Sequence, residues 1–303
     1  MHPAELAILL HRALEVRLAT LRALLDAEDW TAREEPLHQV RVAARRLGAV
    51  LDLVDPEAYP GHKGRRRALK RLVDILGLPR ELDVHAARLE ERRRSAADPA
   101  QGAVLEHLLE EVERARAKAR RAMHQELEEL HLPDLDRLLD VPSLPSPFQP
   151  TSLQEGAWGC LEPRAQAALG ELEAQTGQED APALHKARIR LKKLRYAVEA
   201  LEGAFAAPPE AVLKDLRGLQ TILGDHHDLA ALEALLWEAE GRLRDHGRSL
   251  LATGVLDLLG DVAEARRGAF ERFAAAAQGQ GPAAFARAIR PALGLPLSGA
   301  APR

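Results

Sequence analysis

Two stretches of this chain place a histidine and a file of arginines and lysines at matching positions. The first, Leu37 to Val54, reads LHQVRVAARRLGAVLDLV, and the second, Leu184 to Leu201, reads LHKARIRLKKLRYAVEAL. His38 matches His185, Arg41 matches Arg188, Arg45 matches Lys192 and Arg46 matches Lys193, always 147 positions apart. Side chains of these types have two uses at such a spacing. They can pair with acids on neighbouring elements, or they can gather an oxyanion. Arg grips phosphate oxygens through two parallel N–H bonds, and Lys acts as a point charge.

Their direction follows from helical geometry. At about 100° per residue, Leu37, Val40, Ala44, Leu47 and Leu51 fall on one stripe, which should face a core. His38, Arg41 and Arg45 fall on a second stripe, roughly a quarter-turn to one side. In the later stretch the core stripe is Leu184, Ala187, Leu191, Leu194 and Val198, and its basic flank is His185, Arg188, Lys192 and Arg195. Cations at the edge of a seam are held by their neighbours and can point into a groove between helices. Arg46, Lys186, Arg190 and Lys193 lie further round, towards solvent.

The same shift, without a gap, aligns Leu69-Lys70-Arg71-Leu72 with Leu216-Arg217-Gly218-Leu219 and Ile75-Leu76-Gly77 with Ile222-Leu223-Gly224. Arg67 then matches Lys214, Lys70 matches Arg217 and Arg120 matches Arg267. The chain reads as two copies of one helical unit. Residues 1–140 form the first half and 151–290 the second, together one domain of 1–290. Between them runs the linker VPSLPSPFQP, with four prolines in residues 141–150. Expected helices run from Pro3 to about Ala27, Pro36 to Val54, His62 to Gly77, Glu81 to Arg94 and Pro99 to Leu130, with a short one after Pro133. The second half repeats the plan. Asp180 is the expected N-cap of its basic helix, a helix from Pro208 stops at Gly224, and another starts at His227. The tail, 291–303, should fray.

Composition sets the class. Apolar residues make up 46% of the chain and aromatics 3%, with Ala, Leu, Arg and Glu dominant. That mixture favours helix throughout, so the expected fold is all-α, with two pseudo-symmetric helical-bundle halves. With 42 Lys and Arg against 46 Asp and Glu, net charge is −4, so the cations matter by placement rather than excess. The acidic balance and the few stacking aromatics argue against a nucleic-acid binder. Cys160 stands alone, which excludes an internal disulfide and a multi-cysteine metal site. No HExxH motif or cysteine pair marks a metal centre. No stretch reaches the roughly 20 apolar residues of a membrane span, and no leader pattern opens the chain, so a cytoplasmic setting is expected.

These residues resemble the CHAD family, helical domains named for their histidines. The resemblance is carried by H-x-x-R-x-x-x-R-R-L (His38 to Leu47) and H-x-x-R-x-x-x-K-K-L-R-Y (His185 to Tyr196). It continues through L-G-x-x-R-E-L-D-V (Leu76 to Val84) and L-Q-x-x-L-G-x-x-H-D-L (Leu219 to Leu229). It implies long antiparallel helices around a central basic groove that binds inorganic polyphosphate without turnover. It also implies partners among polyphosphate granules and polyphosphate-metabolising proteins, and no cofactor. On this reading the binding residues are His38, Arg41, Arg45, Arg46, Arg67, Lys70, Arg120, His185, Arg188, Lys192, Lys193, Arg195, Lys214, Arg217 and Arg267, with no catalytic residue.

Three departures stand out. Gly48 occupies a position where the family pattern has a cation, opposite Arg195, so the first copy is expected to be the weaker side. Arg80-Glu81 stands where an Arg-Asp pair is expected, and His227-Asp228 where an Asn-Asp pair is usual. For the two matched histidines, phosphate donation and local helix positioning both fit. Three other readings remain open at this point. One is an all-α enzyme acting on a phosphorylated substrate, which lacks the expected carboxylate cluster and Gly-rich cradle. The others are a nucleic-acid binder and a scaffold without ligand.

Overall fold

Leucines recurring every three or four residues can be buried together only on one face of a helix. The computed structural model describes residues 4–56, 61–96, 98–130 and 152–297, and every regular element among them is helical. The first half contributes α1 (Ala4–Leu25), α2 (Glu34–Leu51), α3 (His62–Ile75), α4 (Gly77–Ser95) and α5 (Pro99–Glu129). The second contributes α6 (Leu153–Ala174), α7 (Ala181–Ala200), α8 (Glu210–Asp245), α9 (Ser249–Ala277) and α10 (Pro282–Ala292), with a 3₁₀ turn at Glu202–Ala204. The proline-rich segment 141–150 and the helix expected after Pro133 lie outside the described residues. Among the described residues, no helix is long and apolar enough to cross a membrane.

Helix starts are encoded locally. Asp180 caps α7 by accepting the Ala183 N–H at 3.0 Å, and Asp98 caps α5 by accepting that of Ala100 at 3.0 Å. Ser152 and Glu155 close a capping box on α6. Pro182 and Pro99 sit in first turns, where a missing N–H costs no helical bond.

Two buried clusters hold the helices together, and they do not divide as one per sequence half. The larger joins α1, α2 and α3 to α6, α7, α10 and the first part of α8. All ten residues of the two expected core stripes, from Leu37 to Leu51 and from Leu184 to Val198, are buried in it. The smaller joins α4 and α5 to α9 and the second part of α8, through Leu89, Leu105, Leu232 and Val255. Each cluster therefore draws on both halves, because each half leaves an apolar face that its own helices do not cover.

The structure departs from the sequence reading at three places. Helix α8 runs from Glu210 to Asp245 without the stop expected at Gly224. Its counterpart in the first half is broken, with α3 ending at Ile75 and α4 opening at Gly77. Gly77 is thus not a left-handed cap, and the cap residue Leu76 has φ −78° and ψ 0°. A glycine within a helix costs only about 1 kcal/mol relative to Ala, so Leu223 and Leu229, buried on either side, carry α8 through. Finally, the tail is packed at least to Leu295. Leu293 is buried, the Leu295 N–H donates to the Arg290 carbonyl at 2.8 Å, and Arg290 donates to the Pro296 carbonyl at 2.7 Å.

Helices α5 and α9 meet across the halves at a glycine. A Cβ on Gly254 would stand 2.5 Å from Cγ2 of Val104. Gly254→Ala is therefore expected to lower unfolding free energy by about 1–3 kcal/mol. Adding Val104→Ala relieves the clash, so a urea-denaturation double-mutant cycle should return a coupling of about 0.5 kcal/mol or more. Strict additivity would mean that the two helices do not approach this closely.

Candidate functional site

The basic stripes of α2 and α7 are brought together because these two helices touch across the larger core. With Leu47 and Leu194 fixed in the core, Arg41 and Arg45 on α2 are turned towards Arg188 and Lys192 on α7. All four are half-buried. None makes an ion pair or hydrogen bond with an acid among the described residues, and the Nε atoms of Arg41 and Arg188 are buried without any partner. At the α3–α4 joint, Nη2 of Arg41 lies against Gly77, 3.9 Å from where a Cβ would stand, which is ordinary van der Waals contact.

The charges act strongly on one another. Burial, then Arg45, Arg188 and Arg80, pull Arg41 down to about 10. Burial, then Arg188, Arg45 and Arg41, pull the Lys192 amine down to about 7. Arg45 and Arg188 are lowered as well, chiefly by burial. Asp228 on α8 and Glu81 on α4 offset part of the repulsion at a distance. His185 and His227 stack beside the cluster with ring centres 4.2 Å apart and Nδ1 atoms 3.0 Å apart. Burial and Arg188 push His227 down to about 3 and lower His185 too, so both imidazoles are neutral at neutral pH.

Ion pairs at the flank fasten the two helices. Arg46 on α2 lies 3.7 Å from Glu199 on α7, and Lys193 on α7 lies 3.3 Å from Asp52 at the end of α2. Each pair is the other's image under the 147-residue shift, the reciprocal pattern of an isologous contact. The space left by Gly48 is filled from α3. The Arg66 guanidinium stands 3.6 Å from where its Cβ would be and pairs with Asp52. In the second half, Arg195 plays that part by pairing with Glu199 at 2.8 Å. Burial would raise the Asp52 carboxyl, but Arg66 and Lys193 outweigh it and hold the group below its usual range.

The family model described as "CHAD domain" matches residues 12–237, most of the chain. The chain belongs to the CHAD domain family. Two solved structures share the fold of this CHAD chain. PptA from Streptomyces chartreusis is 19% identical, with a TM-score of 0.63 over 88% of this chain and 97% of that one. The CHAD domain from the plant Ricinus communis is 24% identical, with a TM-score of 0.57 over 88% and 89%. A comparison with curated proteins finds no match.

Within the CHAD fold the expected binding residues separate into groups. Arg41, Arg45, Arg188 and Lys192 gather, with His38 and His185 at the edge of the cluster. Arg46, Lys193 and Arg195 are tied to acids at the helix contact. Arg67, Lys70, Lys214, Arg217 and Arg267 are exposed and are not among the strongest charges acting on the four clustered cations. Lys70 pairs with Asp74 at 2.8 Å, and Arg217 donates to the Leu213 carbonyl at 3.0 Å. Arg120 lies apart from the cluster. It donates to the carbonyls of Thr31 and Ala32 and lies 3.3 Å from Asp83, which is 1% exposed and also held by Arg116 at 2.6 Å. A buried carboxylate needs such partners, since left unpaired its charge would be costly.

Arg80, Glu81, His227 and Asp228 belong to the surroundings of the site, although in sequence they stand out only as motif variants. Their common distance from Gly77 and Gly224 was the available signal. The Arg120→Ala variant should lose about 1–3 kcal/mol of stability in chemical denaturation, because Asp83 keeps one cation instead of two. Unchanged stability would return Arg120 to the candidates for ligand binding.

Proposed function

We propose that this CHAD chain binds inorganic polyphosphate in the cluster between α2 and α7, as a binding or targeting module without turnover. One observation carries the reading: four half-buried cations stay together with no acid paired to them. A scaffold would be expected to pair them, since uncompensated buried charge costs several kcal/mol. An arriving polyanion removes that cost. Polyphosphate repeats an oxyanion at every unit, which suits an array of Arg and Lys donors without any base or shape code. Release of its counterions should make binding steeply salt-dependent. Polyphosphate granules and polyphosphate-metabolising proteins, in the cytoplasm, are the partners such a module would serve.

The Arg188→Ala, Lys192→Ala double variant should bind long-chain polyphosphate about 100-fold or more weaker, at about 1.5–3 kcal/mol per charge-assisted contact. Its circular dichroism should match the parent's. Arg41→Ala and Arg188→Ala should weaken binding by similar factors, because Arg66 and Arg195 are equally committed to acids and the absence of a side chain at Gly48 thins neither side. Parent-like binding by the double variant, or phosphate release during the titration, would overturn the proposal.

A proton should accompany the ligand. The Lys192 amine stands at about 7 in the free protein, and bound phosphates would raise it towards its ordinary value. Between those two values the complex holds more protons than the free protein, so binding takes up a proton and weakens as pH rises. Calorimetry at pH 8 in two buffers of different ionisation heat should read an uptake of roughly 0.5–1 proton. Lys192→Met should abolish it. Uptake that persists in this variant would assign the proton to another group.

A further inference from the structure

Two clefts flank the cation cluster, and they differ in charge. One, of about 630 Å³, opens at α4 and α8 and is lined by Glu34, Glu35, Glu91 and Asp225 as well as Arg80 and Asp228. Its acids oppose the passage of a polyanion. The other, of about 350 Å³, lies between α1 and α2, and no acid lines it. Arg17, Thr20, His38, Gln39, Val42 and Arg46 form its walls.

His38 stands between this second cleft, which it lines, and the cluster, whose charges it feels. Around α2, His38 stands between Arg45 on the cluster side and Val42 and Arg46 on the cleft side, at about 100° per residue. Nearby Arg80, Arg41 and Arg45 act electrically on His38, and its buried Nδ1 has no hydrogen-bond partner. Tyr196 of α7 acts on Arg45, Arg188 and Arg17 alike, so it links the cluster to the cleft from the other helix.

Arg17 makes no ion pair among the described residues. Its image under the 147-residue shift, Arg164, is in use, because it donates to the carbonyls of Cys160 and Asp52. The first half alone therefore keeps this guanidinium available. It faces Arg46, a second guanidinium held 3.7 Å from Glu199. Glu199 and Glu202 act on Arg17 from outside the lining, but no acid stands in the cleft itself, and two guanidinium groups and an imidazole lacking a partner around it make a receptor for an oxyanion.

We infer that the α1–α2 cleft is a second phosphoryl-binding site, where Arg17, His38 and Arg46 hold further units of the polyphosphate chain gripped by the central cluster. This rests on the proposed function, and it makes the cleft the source of preference for long chains over short ones. A tripolyphosphate occupies the cluster alone, whereas a long chain reaches both.

The test uses the full chain and two anions, long-chain polyphosphate and tripolyphosphate, with Arg17→Ala and Thr20→Glu as variants. Thr20 is exposed, so Thr20→Glu brings a carboxylate to the cleft while leaving Arg17 in place. In both variants the Kd for the long chain should rise about 5- to 10-fold, with the salt slope of log K reduced by about 0.7–0.9 in Arg17→Ala. The Kd for tripolyphosphate should stay at the parent's value. Long-chain binding equal to the parent's in both variants, or equal losses for the two anions, would overturn the cleft while leaving the cluster. A parent that binds neither anion would overturn the central reading and the cleft with it.

Discussion

The structure depends on holding like charges together. At an effective dielectric constant of ~20, two unit charges about 8 Å apart repel by about 2 kcal/mol. Arg41, Arg45 and Arg188, with a Lys192 that at about 7 is only partly charged near neutrality, lie half-buried between α2 and α7 and would push those helices apart unless something stronger opposed it. The opposition is apolar and lies directly behind the cations. Leu37, Leu47 and Leu51 on one helix and Leu184, Leu191 and Leu194 on the other are buried in a single core. Ion pairs at the flank, Arg46 with Glu199 and Lys193 with Asp52, add fastening where water can reach. Repulsion is thus concentrated at the cation cluster and attraction everywhere around it.

Distant acids moderate this balance without ending it. Glu81 and Asp228 act on the cluster from α4 and α8, too far away to pair. A direct salt bridge would neutralise the cluster, whereas complete removal of the acids would leave the repulsion unopposed. The half-way arrangement keeps the cluster foldable and still strongly positive. Asp83 shows the other limit. It is fully enclosed and gripped by Arg116 and Arg120, and those arginines serve the fold.

Periodicity made much of this legible. The two core stripes and the basic flanks beside them follow from helical spacing alone, and the structure places Arg41, Arg45, Arg188 and Lys192 together. Residues whose roles depend on tertiary partners were not legible. Nothing near Arg120 in sequence announces Asp83, and nothing near Gly48 announces that Arg66 would fill its place from the next helix. The helix stop read at Gly224 failed for a similar reason. A glycine weakens a helix by a fixed small amount, and the buried leucines on either side of it overrule that preference. The sharing of each core between the halves was also hidden, since a repeat in sequence specifies elements and not which copy covers which face.

The unbroken run of α8 gives the two sides of the cation cluster different mechanical characters. On the second half, one helix of 36 residues ties both cores into a beam roughly 54 Å long, at 1.5 Å per residue, with His227 and Asp228 near its middle. On the first half the same path has a joint at Leu76, next to Arg80 and Glu81. One wall beside the cluster is thus made of two rods meeting at an elbow and the other of a single rod, as a folding rule stands beside a straight one.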